Sequence, residues 1–85
     1  MTSPGEKGEY IATFYTHHAA LVTQRALRAL GHQARMMPVP RALSSSCGTC
    51  VRYFAGDPCV EQMHQDMEQV VRVAEDGYHT VVTNL

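Results

Sequence analysis

An irregular segment at residues 38–50, with the sequence PVPRALSSSCGTC, divides this 85-residue chain into two halves of similar pattern. Each half holds a β-rich run, then apolar residues at helical spacing, then a second extended run. A chain of this length has room for one small hydrophobic core, so we expect a single domain and no second one in these residues. The pattern therefore predicts two strand-helix-strand units packed into a single domain.

The first half opens with a β-rich run at residues 10–15, which predicts a strand. Thr16 follows and suits a helix N-cap. Residues 19–30 repeat apolar side chains at helical spacing and stop before Gly31, a residue typical of a helix C-cap. We therefore expect a helix there, followed by a second strand at residues 33–39.

The second half begins with a short strand predicted at residues 51–54. Asp57 and Pro58 then form a helix-start signal, an N-cap carboxylate followed by proline at the first helical position. The predicted second helix carries its apolar face on Val60, Met63, Met67, Val70, Val71 and Ala74. It is expected to stop at residues 76–77, Asp and Gly, and a last strand follows at residues 78–83.

The resulting order is β-α-β-β-α-β, an α+β pattern for which the ferredoxin-like plait is the usual solution. In that fold, two helices cover one face of a four-stranded antiparallel sheet. Residues 1–8 mix Ser, Pro, Gly, Glu and Lys and are expected to be a flexible N-terminal tail. Residues 9–85 then form the single domain, and an exposed edge strand in such a plait allows a homodimer.

The charge balance is nearly even, with seven Lys and Arg against eight Asp and Glu. No basic run follows a phosphate backbone, so the sequence argues against nucleic acid as a partner. No segment reaches the roughly 18 apolar residues of a membrane span, so no membrane role is expected. We expect a cytoplasmic protein whose three cysteines are reduced and free for sulfur, redox or metal chemistry.

The irregular segment is suited to presenting the thiol of Cys47. Three serines precede it: Ser44, Ser45 and Ser46. Their backbone N–H groups and hydroxyls can gather round a thiolate or a bound anion, and Gly48 lets the backbone turn. Arg41 adds a cation near the loop. Because the thiolate is the nucleophile in sulfur transfer, such donors and cations would favour the reactive form.

Two strings in the chain are also shared with a known family. YIATFYT at residues 10–16 and PVPRALSSSCG at residues 38–48 resemble the selenium/sulfur carrier protein-like family, over residues 10–82. This resemblance implies that Cys47 holds sulfur or selenium as a persulfide or selenylsulfide and passes it on. It further implies a sulfur- or selenium-donor enzyme and an acceptor protein as partners, and a carrier more than an enzyme.

Cys50 departs from the family pattern, which usually has a small apolar residue at this position. One interpretation is a resolving thiol: attack on a Cys47 persulfide would release reduced sulfur or selenium and leave a disulfide, which is a thiol-disulfide redox activity. The other is a small core residue on strand three. Side-chain alternation along the strand does not choose between them.

A zinc-binding interaction module is the main alternative from another class. Cys47, Cys50, Cys59 and His64 supply three thiols and an imidazole, the ligand set of a structural tetrahedral zinc site. Cys59 and His64 are five residues apart, so a helix would place them about 140° out of phase. A third interpretation is an adaptor whose open sheet face binds a protein.

Overall fold

The structure, a computed structural model, describes residues 7–84. Its strands are β1 (Gly8–Phe14), β2 (Gln33–Pro38), β3 (Thr49–Ala55), β4 (Met67–Ala74) and β5 (Gly77–Thr83). One α-helix, α1 (His17–Ala29), follows β1, and a short 3-10 turn covers Val60–Gln62. Residues 1–6 of the tail expected at residues 1–8 lie outside the described part of the chain, and so does residue 85 of the expected domain.

All strands join one sheet in the order β2-β3-β1-β4-β5, and every neighbouring pair is antiparallel. The prediction of a ferredoxin-like plait is therefore wrong. Instead of four strands and two helices, the described residues form five strands and one α-helix. The predicted first strand, first helix, second strand and third strand are all present. The structure departs from the predicted fold after β3.

The predicted second helix is replaced by the 3-10 turn and β4. Cys59 adopts a left-handed conformation, with φ of 55°, which interrupts any helix started by Asp57 and Pro58. Val70 and Val71 are both fully or almost fully buried, at 0% and 1% exposure. In a strand, neighbouring side chains point to opposite faces, so adjacent buried valines indicate a strand covered on both sides.

α1 begins and ends with the signals read from the sequence. The side chain of Thr16 accepts a hydrogen bond from the backbone N–H of Ala19 at 3.0 Å. At the other end, Gly31 has a φ of 91° and donates to the carbonyl of Arg28 at 2.9 Å. The backbone N–H of His32 donates to the carbonyl of Leu27 at 3.1 Å, and the two bonds together form a Schellman motif.

The helix packs on one face of the sheet, over β2, β3 and β1. The helix-side core contains Tyr10, Ala12, Phe14, Ala19, Ala20, Leu27, Val51, Tyr53, Ala55, Met67 and Val70. The opposite face carries a smaller cluster, the open-face cluster: Ile11, Cys50 and Val71, flanked by Met37, Val39, Leu43 and Val73. Strand alternation divides the side chains between these two clusters. In the part of the chain that the structure describes, no helix has both the length and the apolar character needed to cross a bilayer.

Candidate functional site

The Ser/Cys loop, residues 39–48, connects β2 to β3 at the end of the sheet where β1 leads into α1. Its base is closed by a hydrogen bond from the backbone N–H of Val39 to the carbonyl of Gly48, at 3.1 Å. Gly48 has a φ of 75°, a conformation that glycine adopts without strain. Ser45 fastens the loop to the sheet, because its hydroxyl donates to the carbonyl of Phe14 at 3.1 Å.

Cys47 is half-buried within this loop and packs against the edge of the helix-side core. Its Sγ donates to the carbonyl of Thr49 at 3.4 Å, and the hydroxyl of Ser45 lies 4.0 Å from the sulfur. The thiol is therefore held in place by the first residue of β3 while part of it faces solvent.

Glu68 on β4 is a residue that the sequence did not identify. Its carboxylate accepts the backbone N–H of Ser46, at 3.2 Å to each oxygen, and the hydroxyl of Ser46 at 2.8 Å. The backbone N–H groups of the serine run were predicted to gather round a thiolate or a bound anion. The N–H of Ser46 does contact an anion, but this anion is the carboxylate of Glu68. Identifying Glu68 from the sequence would have required predicting residues 67–74 as a strand beside β1.

His17, the first residue of α1, reaches the same loop from the helix. Its Nδ1 lies 3.3 Å from Oγ1 of Thr49, whose carbonyl accepts the hydrogen bond from Cys47. His17 and Cys47 therefore both contact Thr49, through its hydroxyl and its carbonyl respectively.

The two other predicted loop residues are exposed. Arg41 follows Pro40, whose carbonyl accepts the N–H of Leu43 at 2.9 Å in a turn. Ser44 lines a shallow surface cavity together with Tyr15 and other residues near the end of β5. Within residues 7–84, no hydrogen bond links either Arg41 or Ser44 to Cys47.

Cys50 is fully buried on the opposite face of the sheet from the helix. Its Sγ donates to the carbonyl of Pro38 at 3.7 Å. Burial, and to a lesser degree the charge of Cys47, raises the pKa of the Cys50 thiol to about 11. The two cysteines of the Cys-x-x-Cys motif therefore pack against different clusters, one on each side of the sheet.

Cys59 lies beyond the other end of α1, next to His32. Its Sγ is 3.7 Å from Nε2 of His32, and its backbone N–H donates to Oδ1 of Asp57 at 2.7 Å. Burial, followed by the charge and hydrogen bond of Asp57 and the charge of Glu61, raises the pKa of this thiol to about 11. A helix of 13 residues is about 20 Å long, so Cys59 is far from Cys47.

His64 lies in the segment between the 3-10 turn and β4. Its backbone N–H donates to Oγ1 of Thr23 at 3.0 Å, and its Nδ1 accepts the N–H of Asp66 at 3.0 Å. The four ligands of the zinc alternative are therefore not brought together. In residues 7–84, no group of three or more His, Cys, Asp or Glu side chains is arranged to hold a metal ion.

The comparisons with known proteins bear on this loop. A family model described as "Putative Se/S carrier protein-like" matches residues 9–76, which are 68 of the 85 residues. The chain belongs to this family. The match includes α1, the Ser/Cys loop and Glu68, so every residue that contacts the loop through a hydrogen bond described above lies inside the carrier-family region. No curated protein and no solved structure matches the chain significantly.

Proposed function

We propose that this protein carries a single sulfur or selenium atom on Cys47, as a persulfide or selenylsulfide. The observation that carries the proposal is the position of this thiol. Cys47 is presented on a loop that is fastened on both sides, by Ser45 to β1 and by Ser46 to β4. A half-exposed thiol in a fixed frame can meet a partner protein without any unfolding of the domain.

The other two thiols are less suited to this role at neutral pH. Burial helps to raise the pKa values of Cys50 and Cys59 to about 11, so both are protonated under those conditions. Since the thiolate is the attacking species, neither one competes for the cargo. Cys50 lies on the opposite face, and we assign it to packing instead of to resolution of a Cys47 adduct.

Loading would proceed by attack of the Cys47 thiolate on the terminal sulfur or selenium of a donor persulfide or selenylsulfide. A bond forms between Cys47 Sγ and the transferred atom, the donor's bond to that atom breaks, and the donor thiolate leaves with the electron pair. Unloading repeats the exchange with an acceptor nucleophile, and Cys47 is then the leaving thiolate. No external oxidant or reductant is consumed.

Neighbouring groups hold the thiol in place for this exchange. His17 lies within hydrogen-bond distance of the Thr49 hydroxyl, and the Thr49 carbonyl accepts the hydrogen bond from Cys47. The proton of the Cys47 thiol leaves to solvent before attack, and solvent returns it after unloading. The exposed side chains of Arg41 and Ser44 offer contacts to the incoming donor or acceptor. In this proposal the protein is a carrier between a donor enzyme and an acceptor protein, in a reducing compartment such as the cytoplasm.

The test is the intact mass of the reduced protein before and after incubation with a persulfide donor, followed by peptide mapping. We expect a gain of one sulfur atom on the peptide that contains Cys47. Cys47→Ser should abolish the gain, and Cys59→Ser serves as the matched control that retains it. An adduct mapped to Cys50 or Cys59, or one that survives in Cys47→Ser, would overturn the proposal.

A further inference from the structure

A second concave site lies at the opposite end of the β2–β3 hairpin from the Ser/Cys loop. It is a cavity of about 460 Å³, bordered by Arg28, His32, Arg35, Arg52 and Phe54. The hairpin begins with the pair Gln33–Phe54 and ends with the pair Pro38–Thr49. Five residue steps along a strand span about 17 Å, so this basic cavity is separate from the carrier thiol.

The basic cavity concentrates guanidinium groups in an unfavourable arrangement. Arg35 and Arg52 are direct partners across the antiparallel ladder of β2 and β3, so two like charges face each other. Such pairs destabilise a sheet when nothing lies between them to offset the charge. Arg28, in the last turn of α1, adds a third guanidinium to the same lining.

The residues that the structure describes neutralise only part of this charge. Nε of Arg52 lies 2.5 Å from Oε2 of Glu9, and its guanidinium sits 5.2 Å from the centre of the Phe54 ring. Among residues 7–84, neither Arg28 nor Arg35 has a carboxylate within ion-pair distance. The cavity lining therefore carries three guanidiniums, and among residues 7–84 only that of Arg52 is paired with a carboxylate, which fixes its orientation.

We propose that this cavity binds a small, multiply charged oxyanion of the phosphate or carboxylate type. Guanidiniums bind both groups through paired hydrogen bonds, and a ligand with two negative charges would balance Arg28 and Arg35. The volume is within the range of ordinary small-molecule sites. The site goes beyond the carrier function, since no thiol lines it and its ligand need not contain sulfur or selenium.

The test is a titration of the isotope-labelled full chain with inorganic pyrophosphate and, separately, with citrate, followed by amide NMR shifts at low ionic strength. We expect saturable shifts at residues 33–35 and 52–54 with at least one anion. Saturable shifts with pyrophosphate alone would assign the phosphate type, and saturable shifts with citrate alone would assign the carboxylate type. Saturable shifts with each of the two anions would show a site that selects for charge only. No saturation with either anion would overturn the proposal.

Arg35→Gln and Arg25→Gln form a matched pair of variants for this titration. Arg25 is an exposed residue of α1 that does not line the cavity. Loss of a charge-assisted contact should weaken binding about tenfold in Arg35→Gln, while Arg25→Gln changes it by less than about twofold. Arg35→Gln also removes a like-charge pair and should stay folded. Equal weakening in both variants would show general charge attraction and contradict the site. Cys47→Ser should bind the anion as the wild type does.

Discussion

The carboxylate of Glu68 accepts both the backbone N–H and the hydroxyl of Ser46, the residue immediately before Cys47. Because Glu68 lies on β4 and Ser46 lies on the loop between β2 and β3, this contact joins two parts of the chain that are 22 residues apart. The candidate carrier thiol is thus positioned from outside its own hairpin.

Removing this contact should loosen the loop without unfolding the domain. In Glu68→Ala we expect faster hydrogen exchange at the Ser46 amide and a several-fold change in the rate of Cys47 alkylation. The loss of stability should be below about 1 kcal/mol, because the contact is largely exposed to solvent. Glu75→Ala, at the exposed turn between β4 and β5, is the control. Unchanged exchange at Ser46 would contradict a positioning role for Glu68.

The three thiols should differ sharply in reactivity. With iodoacetamide near neutral pH, we expect Cys47 to be alkylated first, because Cys50 is buried and the pKa values of Cys50 and Cys59 are about 11. The rate at Cys59 should rise about tenfold per pH unit up to that value, since only the thiolate reacts. Time-resolved peptide mapping measures each site. Alkylation of Cys59 as fast as Cys47 at neutral pH would disprove this order.

The raised pKa of Cys50 also predicts a fall in stability at alkaline pH. An unperturbed thiol has a pKa of 9.0, so the stabilising effect of the protonated Cys50 thiol on the fold is complete below that pH and is lost as pH rises toward about 11. Between about pH 8 and pH 10 the free energy of unfolding should fall by about 1 kcal/mol from this group. Urea unfolding at both pH values measures it. Cys50→Ala should remove that portion of the slope; an unchanged slope would contradict the assignment.

Two leucines of α1 and its C-cap make a matched test of the helix-side core. Leu27 is fully buried, whereas Leu30 is 58% exposed. Leu27→Ala should lower the free energy of unfolding by about 2 to 5 kcal/mol, because it leaves a cavity under the helix. Leu30→Ala should change it by less than about 0.5 kcal/mol. Similar losses in the two variants would argue against the packing of α1 on the sheet.

The N-cap of α1 gives a third stability test. Thr16→Ala should cost about 1 kcal/mol, since the N–H of Ala19 then loses its acceptor. Thr16→Ser retains the hydroxyl and should keep most of the stability. Thermal or urea unfolding of both variants measures the difference. A loss in Thr16→Ser as large as in Thr16→Ala would show that the hydroxyl is not the stabilising group.

The first half of the fold could be predicted from sequence because its signals are local. Thr16 and Gly31 mark the ends of α1 by short-range hydrogen bonds, and the helical spacing between them has no competing strand pattern. The segment after Asp57 could not be predicted in the same way. Val70 and Val71 fit one helical face as well as they fit two faces of a strand, and only the tertiary environment chooses.

In the candidate site, too, the features that depend on local sequence could be predicted, and those that depend on tertiary contacts could not. The loop at the end of the sheet and the turn at Gly48 were predicted from a run of consecutive residues. Cys47, which was predicted in an exposed setting, is half-buried. Glu68 was missed because its segment was taken for a helix, so nothing placed it beside Ser46. The four residues of the zinc alternative lie apart for a tertiary reason as well: Cys50 lies on the opposite face of the sheet from the helix, and Cys59 lies beside His32.

The central position of β1 has a consequence for the order of folding. β1 pairs with β3 and with β4, strands that follow it by some 40 and 60 residues, while both outer hairpins are local. During synthesis, β1 therefore leaves the ribosome long before either neighbour. Both of its edges stay unpaired until β3 emerges, and one edge stays unpaired until β4 emerges. The step most exposed to mispairing is thus the insertion of the oldest strand between two hairpins that can form without it.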